Sequence, residues 1–281
     1  MNYHDREREY RAHPGLNQST LKLYREGAAI GRHKELNPSE STKSQSVGTL
    51  VERMVYCPED PRAVVRQKET SQSGKDANAK AKADGFILVA EDAFGEAREL
   101  AQLIQRTVDL SGFQHGADLY ADGRKCLFDF LDESTDRAYD LKVTEHALDD
   151  DWLDKSMAAW GWHMQAGWYC DIYRRVTGRK LDYRLIVASA VVPYRVEVLE
   201  PDPDDVALGL AECEALAAYR QRCVDNNHFP HLPLRGKVKL PRWYRPFEGA
   251  ERKVREVAMD LSALDAMAAN IDAGNLPDVG F

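Results

Sequence analysis

The stretch that decides the fold is Lys125-Cys-Leu-Phe-Asp-Phe-Leu131, followed across Asp132 to Asp136 by Arg137-Ala-Tyr-Asp-Leu-Lys-Val143. Both segments are short, rich in aromatic and aliphatic residues and separated by a polar cluster, which is the pattern of two strands joined by a hairpin turn. Asp129 sits inside the more apolar of the two, where an unpaired carboxylate is expensive to bury and calls for compensation. In the second segment alternation puts Asp140 and Lys142 on one face and Leu141 on the other. Pairing around the turn brings Asp129 and Asp140 towards one point with Lys142 beside them. Asp129, Asp140, the Leu141 carbonyl and water then make an oxygen-rich site suited to Mg²⁺, with Mn²⁺ as an alternative ion. The Lys142 ammonium would orient an attacking water at a phosphodiester. A hairpin-edge carboxylate, or a salt bridge to Lys142, is the structural alternative for each acid taken singly.

Outward from this pair the expected order is helices, the small mixed sheet, a long helix, two further strands and a final helix. Asn17 and Ser19 are capping candidates for a helix through Leu21 and Tyr24 that ends near Gly27. Val47, Leu50, Val51, Met54 and Val55 recur at helical spacing up to Pro58. Pro61 to Gly85 is polar and reads as a long, mobile segment. Phe94, Ala97, Leu100, Ala101 and Ile104 mark another helix, and Ala117 to Ala121 a strand. One long helix is expected from about Trp152 to Thr177, with Trp160, Met164, Trp168 and Ile172 on its buried stripe. Strands at Tyr183 to Ala190 and Tyr194 to Leu199 precede a helix near Asp204 to Val224. The expected fold class is α/β, a small mixed β-sheet flanked by helices.

The 281 residues, 43% apolar and 30% charged, suit one large domain with a real core. No apolar run approaches the roughly 20 residues of a membrane helix, and the charged N-terminus lacks a secretory pattern; a cytoplasmic address is the expectation. Five cysteines without a Cys-x-x-Cys pair argue against disulfides, zinc and iron–sulfur clusters. The net charge of -8, from 38 basic and 46 acidic residues, at first opposes a nucleic-acid partner. Distribution qualifies it: acid concentrates in Glu145 to Asp154 and Glu200 to Asp205, while Leu234 to Pro246 carries Arg235, Lys237, Lys239, Arg242 and Arg245 with Trp243 and Tyr244 and no acid. That segment suits a phosphate backbone, or is a solvated arm.

Asp129 followed by Asp140-Leu-Lys142 resembles the PD-(D/E)xK nuclease signature, with Phe128 in place of the proline. Four further blocks, together with Tyr139-Asp-Leu-Lys-Val-Thr144, resemble the RecE/exonuclease VIII nuclease domain in order, over roughly residues 8 to 232. They are Tyr10 to Leu23, Val47-Gly-Thr-Leu-Val-Glu52, Trp160-Gly-Trp-His-Met-Gln-Ala-Gly-Trp-Tyr169, and Val192-Pro-Tyr-Arg-Val196. The resemblance implies a restriction-endonuclease-like core over 1–232, with 233–281 as a C-terminal basic and aromatic segment and tail. It also implies a Mg²⁺-dependent 5′ to 3′ exonuclease on double-stranded DNA that leaves 3′ tails for a recombinase or annealing protein. A homo-oligomeric ring comes with it. Carried across, Asp129 and Asp140 are metal ligands, Lys142 the water-orienting group, and Gln165 and Tyr169, four apart on one helix face, the motif beside the site. Glu52 stands where the family usually has histidine; lambda exonuclease-like relatives use an acid from a comparable helix, which makes Glu52 a third ligand. A solvent-facing glutamate is the alternative. Ser19 and Thr20 fall near the DNA 5′ end in this scheme, with Arg25 a candidate phosphate contact. His163, and the loop pair His228 and His231, are weaker candidates for chemistry. Competing functions are an endonuclease on the same core and a catalytically retired DNA-binding recombination component; the cysteine pattern counts against an iron–sulfur nuclease.

Overall fold

The computed structural model describes residues 3–38 and 43–233; the basic stretch Leu234 to Pro246 and everything after it lie outside the described residues. In chain order the helices are α1 (Tyr3–Ala12), α2 (Gln18–Leu23), α3 (Ala28–Leu36), α4 (Lys43–Tyr56), α5 (Gln72–Ala83), α6 (Ala93–Thr107), α7 (Asp150–Trp160), α8 (Trp162–Thr177) and α9 (Pro203–Asp225). The strands are β1 (Ala63–Val65), β2 (Ile87–Val89), β3 (Gln114–Ala121), β4 (Arg124–Asp132), β5 (Arg137–Thr144), β6 (Asp182–Ser189) and β7 (Arg195–Leu199).

The central sheet runs β3-β4-β5-β6-β7, antiparallel except for the parallel β5–β6 pair. That one parallel pairing follows from the chain between them: α7 and α8 form the crossover that two parallel neighbours require. Alternation along the strands builds two cores. Ala138, Leu185 and Val187 face α8 and α9 with Trp168, Ile172 and Tyr173. Tyr139, Ile186 and Ala188 face α4 and α6, whose stripes bring Leu50, Val51, Met54, Leu100 and Ile104. Leu50, Leu100 and Ile104 are fully buried, each stabilising the fold by about 2 kcal/mol relative to an exposed side chain. On the first face α9 lies close against α8 because both carry glycine at the crossing. A Cβ on Gly167 would stand 2.5 Å from the Val206 carbonyl oxygen, and one on Gly209 would stand 2.2 Å from that of His163.

Two expectations are corrected. The helix expected from Trp152 to Thr177 is broken at Gly161, whose φ of +67° is left-handed. Its N–H closes α7 on the Met157 carbonyl, and its own carbonyl receives the Gln165 N–H that opens α8. The break takes Trp160 off the buried stripe: it is 59% exposed. The polar segment Pro61 to Gly85 is structured, as β1, α5 and the link to β2, with β1 and β2 parallel. Polar contacts order it rather than an apolar stripe. Ser71 caps α5 through the Gly74 N–H, and the buried Asn78 side chain accepts from the Gln67 N–H at 2.8 Å and donates to the Gln67 carbonyl at 2.9 Å. Helices α1 and α3 are additional to the sequence reading. The former is held by Tyr10, buried, and by Lys125, whose Nζ donates to the carbonyls of Tyr10 (2.8 Å) and His13 (2.6 Å).

Candidate active site

The site forms where the β4–β5 hairpin comes apart. Pairing runs Asp132↔Arg137, Leu131↔Ala138 and Phe130↔Tyr139, then stops. The next rung would set Asp129 directly opposite Asp140, and like charges in that position are destabilising. Instead the Asp129 carboxylate turns across the gap and accepts the Leu141 N–H at 2.8 Å, a side chain doing the work of a ladder bond. On the other flank of β4 the pairing passes from His115↔Phe130 to Ala117↔Phe128 and skips Asp129 and Gly116, the latter left-handed at φ +61°. Alternation slips there: Phe128 belongs to the α8 core and Phe130 to the α4 core. The slip lets a carboxylate enter an otherwise apolar strand.

Asp140 and Lys142 share the α8 face, and α8 closes the arrangement. Lys142 Nζ pairs with Asp140 Oδ2 and donates to Gln165 Oε1 at 2.9 Å, while Gln165 Nε2 donates to Asp140 Oδ1 at 2.5 Å. The three side chains form a ring in which each charged group is fixed by a charge-assisted contact. One turn on, Tyr169 packs edge-on against Phe128 (5.0 Å) and Tyr183 (6.1 Å) and walls the site from the core. Burial drives the Tyr169 phenol well above its ordinary value. From the opposite side of the sheet comes Glu52 on α4, whose Oε1 meets His115 Nε2 at 2.8 Å. The His115 side chain is fully buried and its ring stacks on Tyr56 at 4.1 Å.

Electrostatics link these groups. Burial, then repulsion from Asp140 and Glu52, pushes the Asp129 carboxyl well above the usual carboxylate range. Burial also raises Asp140, against the attraction of Lys142. Burial works to lower Lys142, but Asp140 and Asp129 outweigh it and hold the ammonium charged. Asp129, Asp140 and Glu52 carry three negative charges when ionised and Lys142 one positive, a deficit of two in a buried pocket of hard oxygen donors. A divalent cation fits that deficit and that donor chemistry. Among the described residues no group of three or more His, Cys, Asp or Glu side chains is already gathered into a ligand cluster; Glu52 Oε1 is held by His115.

The sequence candidates Asp129, Asp140, Leu141, Lys142, Gln165 and Tyr169 thus come together, with Glu52 close enough to act on the ionisation of all three charged groups. Thr20 serves as a capping partner of Asn17 Oδ1 (2.9 Å), and Arg25 donates to the Ala158 carbonyl (3.2 Å). His163 packs between helices, its Nδ1 on the Met157 carbonyl at 2.9 Å; His231 pairs with Gly27 in a short bridge. Three site neighbours escaped the sequence reading. His115 precedes the strand as read from Ala117, and Lys22 and Tyr183 approach only through the tertiary fold. The one available signal was the alternation of Tyr183 with Leu185 on the face of Asp140.

A family model described as "PDDEXK-like domain of unknown function (DUF3799)" matches residues 26–237. The chain belongs to this PDDEXK-like family. That places it in the PD-(D/E)xK nuclease superfamily, and its mixed sheet flanked by helices is the restriction-endonuclease-like fold expected from the sequence. The fold has a solved counterpart in the crystal structure of a protein described as "Putative exonuclease" from Eubacterium rectale. The two agree with a TM-score of 0.60 at 17% identity, over 88% of this chain and 94% of that one. No curated protein matches the sequence. Members of the superfamily are generally divalent-metal dependent, in keeping with the charge deficit of this PDDEXK-like site. Among the described residues no helix is long and apolar enough to cross a membrane.

Proposed function

We propose that this PDDEXK-like chain is a Mg²⁺-dependent 5′ to 3′ exodeoxyribonuclease that acts on double-stranded DNA ends and leaves 3′ single-stranded tails for recombination by strand annealing. The observation that carries the reading is the buried ring of Asp140, Lys142 and Gln165 beside Asp129, set in a nuclease fold. We read the intact ring as that of an active enzyme rather than a retired one, because a buried ion pair is often no more stabilising than an apolar replacement and is not kept for stability alone.

Asp129, Asp140, the Leu141 carbonyl and Glu52 would hold the metal. When bound there a divalent cation supplies Lewis acidity at the scissile phosphate and lowers the pKa of water. Lys142, kept protonated by its two carboxylate neighbours, donates from Nζ to orient the attacking water and to steady negative charge as it develops on the phosphate. Gln165 fixes the direction of that ammonium and of the Asp140 oxygens together, and the ring of Tyr169 keeps bulk water from the inner side. Polarity, a homo-oligomeric ring and an annealing protein or recombinase as partner rest on the RecE/exonuclease VIII resemblance. So does the extent of the nuclease domain, 1–232; we propose that it acts in the cytoplasm. An acidic outer surface with a basic channel would reconcile the net charge of -8 with DNA. Incubation with linear and with covalently closed plasmid in Mg²⁺ tests the reading: linear DNA is degraded and circles survive. Cutting of circles would make the chain an endonuclease, and an affinity for DNA that does not fall with salt would refute the basic channel.

A further inference from the structure

Trp160 is an indole in solvent, five residues before Gln165. It ends α7, and its 59% exposure is set by the left-handed Gly161 that follows. Scattered exposed apolar residues are ordinary, but the surroundings of this one are not. Lys22 Nζ donates to the Trp160 carbonyl at 3.1 Å and Arg25 to the Ala158 carbonyl at 3.2 Å, so two cations are fixed on the last turn of α7. No carboxylate pairs with either among the described residues. The stem of Lys22 packs on Gly161, where a Cβ would lie 3.2 Å from Lys22 Cδ, and Gln18 Nε2 donates to the Gly161 carbonyl at 3.3 Å. Burial, and then the charge of Lys142, lowers the Lys22 pKa; the catalytic ammonium is within electrostatic reach. From Gly161 a single turn of α8 leads to Gln165, which holds Lys142. An exposed indole, two cations without acid partners and the ring of Asp140, Lys142 and Gln165 are therefore linked contact by contact, from Trp160 through Lys22 and Gly161 to Gln165. A polyanion carrying planar aromatic groups is the ligand chemistry that uses all three: cations take phosphates, and an indole stacks a base.

Resting on the nuclease reading, we propose that Trp160 is a stacking platform for an unpaired nucleobase at the DNA end, seated beside Lys22 and Arg25 next to the scissile phosphate. Stacking there would hold a frayed terminal nucleotide out of the duplex and present its phosphate to Lys142.

The test measures binding of the full chain to fluorescein-labelled duplexes with frayed ends, at fixed salt with Ca²⁺ in place of Mg²⁺. The terminal bases are intact or replaced singly by abasic sites near each strand end. Trp160→Ala is expected to weaken binding about tenfold and Trp160→Phe much less. At one position the abasic replacement should cost the wild type about tenfold and cost Trp160→Ala nothing further. Equal binding by Trp160→Ala, or an abasic loss of the same size in both proteins, overturns the stacking platform. So does a change in oligomer mass on size exclusion with no dependence on the base, which would make Trp160 a contact between copies. Absence of DNA binding by the wild type would sink the nuclease reading itself, a result distinct from additive losses. The exposed position lets the alanine variant fold, and a melting curve matching wild type verifies it.

Discussion

Gln165 is the side chain on which the geometry of the site turns, and its removal has a calculable effect. It makes two hydrogen bonds, from Lys142 Nζ at 2.9 Å and to Asp140 Oδ1 at 2.5 Å, both to ionised partners. Bonds of that kind contribute roughly 1.5–3 kcal/mol each. Lys142 and Asp140 retain each other, so the two losses do not add fully, and Gln165→Ala should destabilise the protein by about 3 kcal/mol. For a unit of this size that is about 6–12 °C in Tm. Gln165→Glu separates charge from packing. The new carboxylate can accept from Lys142 but can no longer donate to Asp140, and it adds a negative charge to a site already deficient in positive charge. Its stability should fall without metal and recover with Mg²⁺, whereas the Gln165→Ala loss should persist. Urea unfolding of both variants, with Mg²⁺ and with chelator, reads these differences. An alanine variant as stable as the wild type, or a glutamate variant indifferent to Mg²⁺, would refute the assignment of Gln165 as the bridge.

Asp171 is a structural counterpart on the same helix, 1% exposed and bonded by Arg124 (2.8 Å), Arg174 (2.7 Å) and Arg175 (2.6 Å). Burial works to raise its carboxyl, but the hydrogen bonds from Arg175 and Arg174 outweigh it and the folded value lies below the usual range. Its contribution is therefore present above the unfolded carboxylate value of about 3.9 and lost as pH falls through the lower folded value. Asp171→Asn should cost about 3 kcal/mol at neutral pH and flatten the acid limb of the stability profile; an unchanged acid limb in urea titrations would contradict it. Gly209→Ala would put a Cβ 2.2 Å from the His163 carbonyl oxygen and should cost about 3 kcal/mol or more, while an alanine variant melting with the wild type would show that α9 can retreat. His115→Phe keeps the stacked ring but loses the contact with Glu52 Oε1. Mg²⁺ affinity by calorimetry should fall about 10- to 100-fold, and no change would remove Glu52 from the ligand set.

What the sequence made legible follows from range. Asp129, Asp140 and Lys142 were found because strand alternation and a five-residue polar turn are local, and the hairpin register carries local information across a few rungs. The reason they converge, a rung that opens so that Asp129 can take the Leu141 N–H, was not legible, since it depends on repulsion between paired strands. Gln165 and Tyr169 rested on helical spacing and on the resemblance. Gly161 was passed over because apolar periodicity continues on both sides of it, and a glycine within a helix reads the same as one that ends it. The break matters more than its single residue implies, because it starts α8 afresh with Gln165 aimed at Lys142 and turns Trp160 outward. Helix α5 was hidden for a different reason: Asn78 and Ser71 organise it through polar contacts that leave no hydrophobic period. His115 pairs with a residue 63 positions away, beyond any local pattern.

The most direct measurement of the central claim is digestion of a linear duplex labelled separately at its 5′ and 3′ ends, with Mg²⁺ and with chelator, by wild type and by Asp140→Ala. The account predicts release of 5′ label that requires Mg²⁺ and disappears in the variant. Folded protein that binds the duplex and releases neither label, or a variant that degrades DNA at the wild-type rate, would contradict it.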